Sequence, residues 1–202
     1  MIQKELRMKK VLLVFAHPAF HKSCINRRLV RAVKDLEGVT FNDLYENYPD
    51  FFISVRREQQ LLLRNDIIVW HHPFYWYSAP SLLKEWMDLV LEHGFAYGMH
   101  GRALEGKKVL SVISTGGRRE VYCREGKNHY TMDQFLIPFR QSVQLCHMEY
   151  LPPFVVHGSH TIHDEEIALF AEKYRKALIL LRDEKIDAEA LKGVTYLNDI
   201  ID

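Results

Sequence analysis

The sequence predicts an α/β protein: a three-layer α/β/α sandwich around a five-stranded parallel sheet with strand order 2-1-3-4-5. Short continuous apolar runs alternate with amphipathic helical patterns, which is typical of a parallel sheet covered on both faces. The crossovers have the length that right-handed, doubly wound sheets use. With 202 residues, 48% of them hydrophobic, the chain can bury a full core without disulfides or metals, which predicts a single domain over 1–202.

Three strands and two helices are predicted in the first half of the chain. The apolar run at 11–16 is the first strand. Apolar side chains then recur at helical spacing over 24–37, and Gly38 ends that helix. The remaining elements of this half are a strand, a short helix and a strand, at 39–44, Val55–Arg64 and 67–70. A charged leader precedes them at the N-terminus, so the core is expected at about 9–183.

The second half continues the alternation. Pro80 fits a first helical turn, Pro138 predicts a bend, and Pro152 and Pro153 confine the fifth strand to one side of them. Asp164 caps the last long helix, beyond which a charged tail is expected to wrap loosely or fray. Helices are predicted at 80–92, 132–146 and 164–181, and strands at Lys108–Ser114 and 148–156.

The topology predicts where a ligand binds. In doubly wound sheets ligands lie beyond the carboxyl ends of the strands, at the switch point between strands one and three. Unusual residues should therefore cluster after the first, third and fourth strands, and they do. We name these segments the first loop (17–26), the second loop (71–80) and the third loop (114–117).

The first loop ends at the start of a helix, where free backbone N–H groups and the helix dipole favour a phosphate. His17, Ser23 and Asn26 could add donors. The loop lacks glycine, so it is neither a GxGxxG nor a GxxxxGK[ST] motif. The alternative is that Ser23 only caps its helix.

The second loop contains four consecutive aromatic residues, Phe74, Tyr75, Trp76 and Tyr77. They cannot all point inward from one short loop, so some must be exposed at the mouth of the sheet, where a flat ring could rest. In the third loop, Gly116 and Gly117 would let backbone approach a ligand closely, although two glycines are as often a plain turn.

Two further residues are catalytic candidates. Tyr122 and His129 could each donate a proton or hydrogen bond, although an isolated Tyr or His in a loop is more often a surface residue. No metal site is expected, because the histidines show no metal-ligand spacing and the adjacent His71 and His72 point in opposite directions along a strand.

Composition excludes several functions. Lys+Arg number 27 and Asp+Glu 26, so no overall field draws the protein to nucleic acid. Three scattered cysteines without a CxxC pair fit a reducing compartment. Because no apolar stretch approaches twenty residues, a cytoplasmic protein is expected, with peripheral docking at the inner face of a membrane left open.

Three motifs resemble one family. AHPAFHKSCIN, HPFYWYSAPSLLKEWMD and STGG, after strands one, three and four, resemble the flavodoxin-like NAD(P)H:quinone oxidoreductases. The similarity, supported by LYENYPDFFISVRREQQLLLRNDIIVWHHP, covers roughly 11–174. It is to the small bacterial branch that includes ancillary subunits of glutathione-gated potassium efflux systems and general-stress proteins.

The resemblance implies roles for individual residues. The family's contacts to the flavin phosphate and ribityl chain correspond to His17, Ser23, Ile25 and Asn26. The segment that packs along the isoalloxazine corresponds to Pro73, Phe74, Tyr75, Trp76 and Tyr77. The segment that approaches the pyrimidine end of the ring corresponds to Ser114, Thr115, Gly116 and Gly117. Tyr122 matches a family tyrosine without a gap. His129 matches the active-site histidine only after one inserted residue, and Asn128 occupies the ungapped position. Arg118 and Arg119 replace small residues, either narrowing the pocket or recruiting a phosphate of NADPH.

The implied activity is a two-electron, ping-pong hydride transfer from NADPH or NADH to a quinone-like acceptor. Resemblance further implies a homodimer with the active site at its interface, and FMN rather than FAD. One alternative is a regulatory ancillary subunit of a glutathione-gated potassium/proton antiporter. A second is a one-electron carrier like flavodoxin, which is ranked last because such chains are strongly acidic and this one has a net charge of +1.

Overall fold

A computed structural model describes residues 8–186 and 189–202 of the chain. Its parallel sheet has the order β2-β1-β3-β4-β5, and a further strand, β6, also pairs with β4. The predicted fold class and strand order are therefore confirmed. The strands, from β1 to β6, are Val11–Phe15, Val39–Asp43, Ile67–Pro73, Lys108–Ser114, Glu149–Tyr150 and Phe154–Val156.

Helices cover both faces of the sheet. Helices α1 and α7 pack together on one face, whereas α3 and α4 pack against each other on the opposite face, where α6 also lies. The helices, from α1 to α7, are Cys24–Val33, Leu44–Asn47, Val55–Arg64, Ser81–Val90, Met132–Phe135, Ile137–Leu145 and Asp164–Arg182.

The buried side chains form two apolar clusters, one on each face of the sheet. Successive residues of β1 belong to different clusters: Leu12 packs on the side of Trp70 and Trp86, and Leu13 on the side of Leu29 and Tyr174. Burial on both faces explains why this strand shows no polar alternation in the sequence.

The prolines change the fifth strand more than the sequence indicated. The predicted strand at 148–156 is two short strands, β5 and β6, on either side of Pro152 and Pro153. Regular structure was expected on one side only, and that prediction is wrong. The break follows because proline has no N–H to donate to the ladder. β3 also runs three residues beyond its predicted end, so that 71–73 pair with β4 rather than forming loop.

Helix ends differ in detail. The first helix ends at Val33, four residues before the predicted Glu37. The helix at 132–146 is divided between Phe135 and Ile137, near the predicted bend, since Pro138 cannot donate to the carbonyl four residues earlier. α7 is capped by His163 rather than Asp164, because Glu166 accepts the backbone N–H of His163 in a capping box. α2, which the prediction missed, begins after Asp43, whose carboxylate caps it.

The C-terminal tail contradicts the expected loose wrapping or fraying. Tyr196, Leu197 and Ile201 are buried in the two cores. The Leu197 N–H donates to the carbonyl of Pro153 at 2.9 Å, so the tail covers the open edge of β6. Its charged composition conceals these apolar anchors. The predicted leader at 1–7, and residues 187–188, lie outside the described residues.

Candidate cofactor site

A cleft of 580 Å³ opens beyond the carboxyl ends of β1, β3 and β4. Residues of the first, second and third loops all border it, as the topology predicted. The predicted residues that line the cleft are His17, Ser23, Ile25, Asn26, Pro73, Phe74, Tyr75, Trp76, Ser114 and Gly116. Those outside its lining are Tyr77, Thr115, Gly117, Tyr122 and His129.

The start of α1 forms one end of the cleft. The Ser23 hydroxyl accepts the Asn26 N–H at 3.1 Å, so this serine does cap the helix, as the alternative reading proposed, and it also faces the cleft. The N–H groups of Cys24 and Ile25 have no acceptor within the described part of the chain. Lys22 also lines the cleft. Free N–H groups, the helix dipole and a cation would together favour an anion at this end of the cleft.

Asn26 joins all three loops. Its amide hydrogens donate to the hydroxyls of Ser23 and Ser114, both at 2.9 Å. Its oxygen therefore faces His71, whose Nε2 lies 3.0 Å away and donates to it. Burial holds the pKa of His71 well below its ordinary value, so the ring is neutral. Asn26 is only 1% exposed, and most of its hydrogen-bonding capacity is used by protein groups.

His17 provides an uncharged donor. Its Nδ1 accepts the N–H of Ala19 at 3.1 Å, which places the proton of the neutral ring on Nε2. Burial lowers the pKa of His17 to about 4, so the ring stays neutral at pH 7. The Tyr75 ring packs edge-on against it, with 6.1 Å between centroids.

The aromatic residues of the second loop divide as predicted. Phe74 points inward, packed on Tyr122 and Phe135, while Tyr75, Trp76 and Tyr77 are exposed. Trp76 is 92% exposed. The Ser78 N–H donates to the Tyr75 carbonyl at 3.0 Å, closing a tight turn.

The turn is strained at its two middle residues. Trp76 has φ of 51° and Tyr77 of 61°, as in a type I′ turn, where glycine and asparagine are usual. Left-handed backbone is unfavourable for bulky side chains, and such strain clusters at ligand sites.

The two glycines of the third loop serve different purposes. A Cβ on Gly116 would lie 3.0 Å from the His160 Nε2 in the cleft. A Cβ on Gly117 would lie 2.7 Å from the Val121 side chain, so this glycine permits packing behind the loop. Thr115 is buried there, and its hydroxyl donates to the Gly117 carbonyl at 2.8 Å.

Neither catalytic candidate borders the cleft within one chain. Tyr122 is 9% exposed and packs behind the third loop against Phe74 and His157. Burial raises the pKa of Tyr122, and the hydrogen bonds to Thr115 and Gly117 offset only part of that rise. His129 is exposed on a turn with φ of 60° and is not among the residues that line the cleft.

The two arginines after the third loop do not line the cleft. Arg119 donates to both oxygens of Asp199, at 2.9 and 2.6 Å, so its guanidinium is occupied rather than free for a phosphate of NADPH. Arg118 is exposed and pairs with no carboxylate among the described residues. It borders a neighbouring 360 Å³ pocket instead. The expectation that they narrow the pocket is therefore wrong.

Sequence reasoning missed five lining residues: Ala19, Lys22, Cys24, Ser159 and His160. The first three lie inside the first loop but were not singled out. Ser159 and His160 follow β6, so the rule that ligands bind after strand ends would have found them had the end of the fifth strand been included.

The described residues, 8–186 and 189–202, contain neither a metal-binding cluster nor a membrane-spanning helix. No three or more His, Cys, Asp or Glu side chains there come together as a metal site. No helix among them is long and apolar enough to cross a membrane. The His71 and His72 rings point to opposite faces of β3, towards Tyr174 and Phe139 respectively.

A doubly wound sheet of this order, with a cleft at its switch point, defines the class of flavodoxin-like α/β proteins. The chain belongs to the flavodoxin-like family, whose sequence model matches residues 9–178.

Several known proteins are similar to this chain in sequence or in structure. The glutathione-regulated potassium-efflux system ancillary protein KefG of Yersinia pestis is 46% identical over 169 residues, covering 84% of this chain and 93% of that protein. General stress protein 14 of Treponema denticola, solved in complex with FMN, is 35% identical with a TM-score of 0.81, covering 85% and 99% of the two chains. An NADPH-quinone reductase from P. pentosaceus is 33% identical with a TM-score of 0.76, covering 83% and 96%. The resemblance predicted from the three motifs is confirmed.

Proposed function

We propose that the chain binds FMN in the 580 Å³ cleft and uses it as an NAD(P)H:quinone oxidoreductase. The observation that supports this most directly is the convergence of the first, second and third loops on one cleft. Its volume is within the range of cofactor pockets, and one end suits an anion while the other carries exposed aromatic rings. Bound FMN would supply the hydride chemistry, accepting two electrons from NADPH or NADH and passing them to a quinone-like acceptor.

The phosphate of FMN would lie at the start of α1. The free N–H groups of Cys24 and Ile25 point from a helix N-terminus, and Lys22 adds a positive charge. His17 can donate from Nε2 without carrying a charge of its own.

The ring system would lie between the second and third loops. Tyr75 and Trp76 offer aromatic surface, and Gly116 leaves room for close backbone approach. FMN is proposed over FAD because the T. denticola neighbour was solved with FMN. The catalytic assignments of Tyr122 and His129 stay predictions, since neither borders this cleft in one chain.

A homodimer is part of the proposal. Trp76, Phe52 and Met99 are large apolar side chains that are 92%, 84% and 85% exposed, and a second copy would remove them from water. A cytoplasmic location is proposed with it.

A regulatory role is the second candidate function. It is favoured by the 46% identity to a protein named as an ancillary protein of a glutathione-regulated potassium-efflux system. Co-purification with such an antiporter from the inner membrane would support it, and both roles are compatible. A one-electron carrier is less favoured because the chain is not acidic.

One experiment tests the main proposal. The purified protein is analysed for its absorption spectrum and the mass of its released cofactor, and then assayed for menadione reduction with NADPH and with NADH. FMN release and turnover with at least one nucleotide are expected. A protein that binds no flavin after incubation with FMN, and turns over neither nucleotide, would contradict the proposal.

A further inference from the structure

We propose that the C-terminal segment 194–202 braces the third loop, so that docking of this segment and binding of the cofactor are energetically linked. The inference rests on the proposed function, because it concerns FMN in the cleft. It assigns a positioning role to residues that lie beyond the part of the chain matched by the family model, which ends at 178.

The segment is anchored along β6. Leu197 is fully buried, and its N–H donates to the Pro153 carbonyl at 2.9 Å. The Asn198 side-chain oxygen accepts the Val155 N–H at 2.9 Å in a buried position. β6 pairs with β4 on its other side, so the segment takes the place of a further strand at this edge.

A second set of contacts reaches the back of the third loop. Asp199 holds the Arg119 guanidinium through two hydrogen bonds, at 2.9 and 2.6 Å. That guanidinium also lies over the Tyr196 ring, 4.5 Å from its centroid. Bidentate pairing and stacking together fix the orientation of an arginine that follows the third loop by two residues.

The contacts continue to Thr115. The Tyr196 ring packs against His157 with 5.4 Å between centroids. The His157 Nδ1 lies 3.1 Å from the Thr115 hydroxyl, which itself donates to the Gly117 carbonyl. His157 is therefore the donor to Thr115, and its orientation depends on the Tyr196 ring beside it.

Thr115 lies between two residues that line the cleft, Ser114 and Gly116. Its carbonyl also accepts the Ser159 N–H at 2.8 Å, and Ser159 is a lining residue from the segment after β6. Any shift of Thr115 thus moves two parts of the cleft wall. The C-terminal segment restrains Thr115 through His157, although none of its residues lines the cleft.

Linkage makes the coupling reciprocal. If docking of the segment favours the cleft geometry that binds FMN, then FMN must stabilise the docked segment by the same factor. A purely structural tail would contribute to stability without this reciprocity. The two cases are therefore separable by experiment.

The test uses the full chain and four substitutions, of which Asp199→Glu is the conservative one. Asp199→Asn removes the charge that holds Arg119, and Tyr196→Leu removes the ring beside His157. Glu105→Gln is the matched control, because it breaks a surface pair with Arg102, at 2.8 Å, at residues that do not line the cleft. Apoprotein of each variant is titrated with FMN and the quenching of flavin fluorescence is followed, with urea unfolding of the apoprotein measured alongside.

We expect FMN to bind the two tail variants at least about fivefold more weakly, with the control unchanged. Asp199→Glu should restore part of the affinity. Hydrogen exchange should also slow at 195–202 on addition of FMN to the unsubstituted protein. Failure of the unsubstituted protein to bind FMN would overturn the proposed function and this inference together. Unchanged affinity in both tail variants, or exchange in the tail that ignores FMN, would overturn this inference alone.

Discussion

Asn26 illustrates why the role of a single residue in the cleft was only partly predictable. The sequence places it at the start of a helix beside a loop, which indicates a donor to a phosphate. Its partners Ser114 and His71 are 88 and 45 residues away along the chain. No local pattern contains such pairs, so the sequence reveals the position of Asn26 but not that it joins the loops.

Replacement of Asn26 should therefore destabilise the protein. Asn26→Ala leaves the Ser114 hydroxyl and the His71 Nε2–H without their partner, whereas the Ser23 hydroxyl still accepts the backbone N–H of residue 26. The free energy of unfolding should fall by about 1–3 kcal/mol. FMN affinity should fall as well, because the loops lose their common anchor. Urea unfolding of the apoprotein measures the first effect. Asn128→Ala, which loses only a 3.4 Å contact with Tyr77, is the control and should shift stability by less than about 0.5 kcal/mol.

Buried neutral histidines predict acid sensitivity. Burial lowers the pKa of His72 to about 4, whereas an unfolded histidine titrates near 6.5. Below pH 6.5 the unfolded chain therefore binds more protons than the folded one, and stability is lost as the pH falls towards 4. His72 alone should lower the free energy of unfolding by roughly 2 kcal/mol between pH 7 and pH 5.

The measurement compares urea unfolding at pH 7 and pH 5. His72→Phe keeps a ring against Phe139 but cannot titrate. Its free energy of unfolding should therefore fall less between pH 7 and pH 5 than that of the unsubstituted protein, by roughly 2 kcal/mol. Leu145→Met, at an exposed side chain that carries no titratable group, is the control and should leave the pH dependence unchanged. An equal pH dependence in His72→Phe and the unsubstituted protein would contradict the prediction.

Among the elements, α1 should discriminate ligands by their phosphate. Lys22→Gln removes the cation beside the helix start, and FMN binding should weaken by about three- to tenfold, since charged groups near a helix N-terminus contribute roughly 1 kcal/mol. Riboflavin, which lacks the phosphate, should bind Lys22→Gln and the unsubstituted protein equally. Lys34→Gln, at the other end of α1, is the control. If Lys22→Gln weakened the binding of FMN and of riboflavin equally, the phosphate would not lie beside Lys22.

In the turn of the second loop, we expect the strained backbone at Trp76 to lower apoprotein stability while its ring strengthens FMN binding. Trp76→Asn places a residue that tolerates left-handed backbone where a bulky ring now has φ of 51°. Because the ring is 92% exposed, little packing is lost, and apoprotein stability should stay equal or rise by up to about 1 kcal/mol. FMN affinity should nevertheless fall about tenfold. Leu63→Asn, at an exposed apolar side chain of α3 outside the cleft and outside the proposed dimer contacts, should leave FMN affinity unchanged.

Elements were predictable where periodicity dominates. The strands of the sheet and the helices between them follow from apolar patterns, and the position of the cleft follows from topology. The tail was not predictable in the same way, because Tyr196, Leu197 and Ile201 are separated by polar residues and have no helical or strand period. Their burial depends on the edge of β6, which Pro152 and Pro153 create by interrupting the fifth strand.

At the scale of the whole molecule, the two cores share one sheet. Leu12 and Leu13 are adjacent in β1 but belong to opposite clusters, so neither face can lose its packing while the strand keeps its place. The prediction of a single domain therefore implies one cooperative unfolding transition. Helices on both faces contribute to the far-UV circular dichroism signal. The fluorescence of the buried tryptophans Trp70 and Trp86, in contrast, reports on one face of the sheet only.

Urea unfolding followed by both signals checks this prediction. The two transitions should coincide in midpoint and slope for the apoprotein, and FMN in excess should move both midpoints upward together, because a ligand that binds only the folded state stabilises all of it. An early fluorescence transition, with helicity retained to higher urea, would mean that the face carrying α3, α4 and α6 unfolds by itself. The single-domain prediction would then be wrong, although the sheet order would stand.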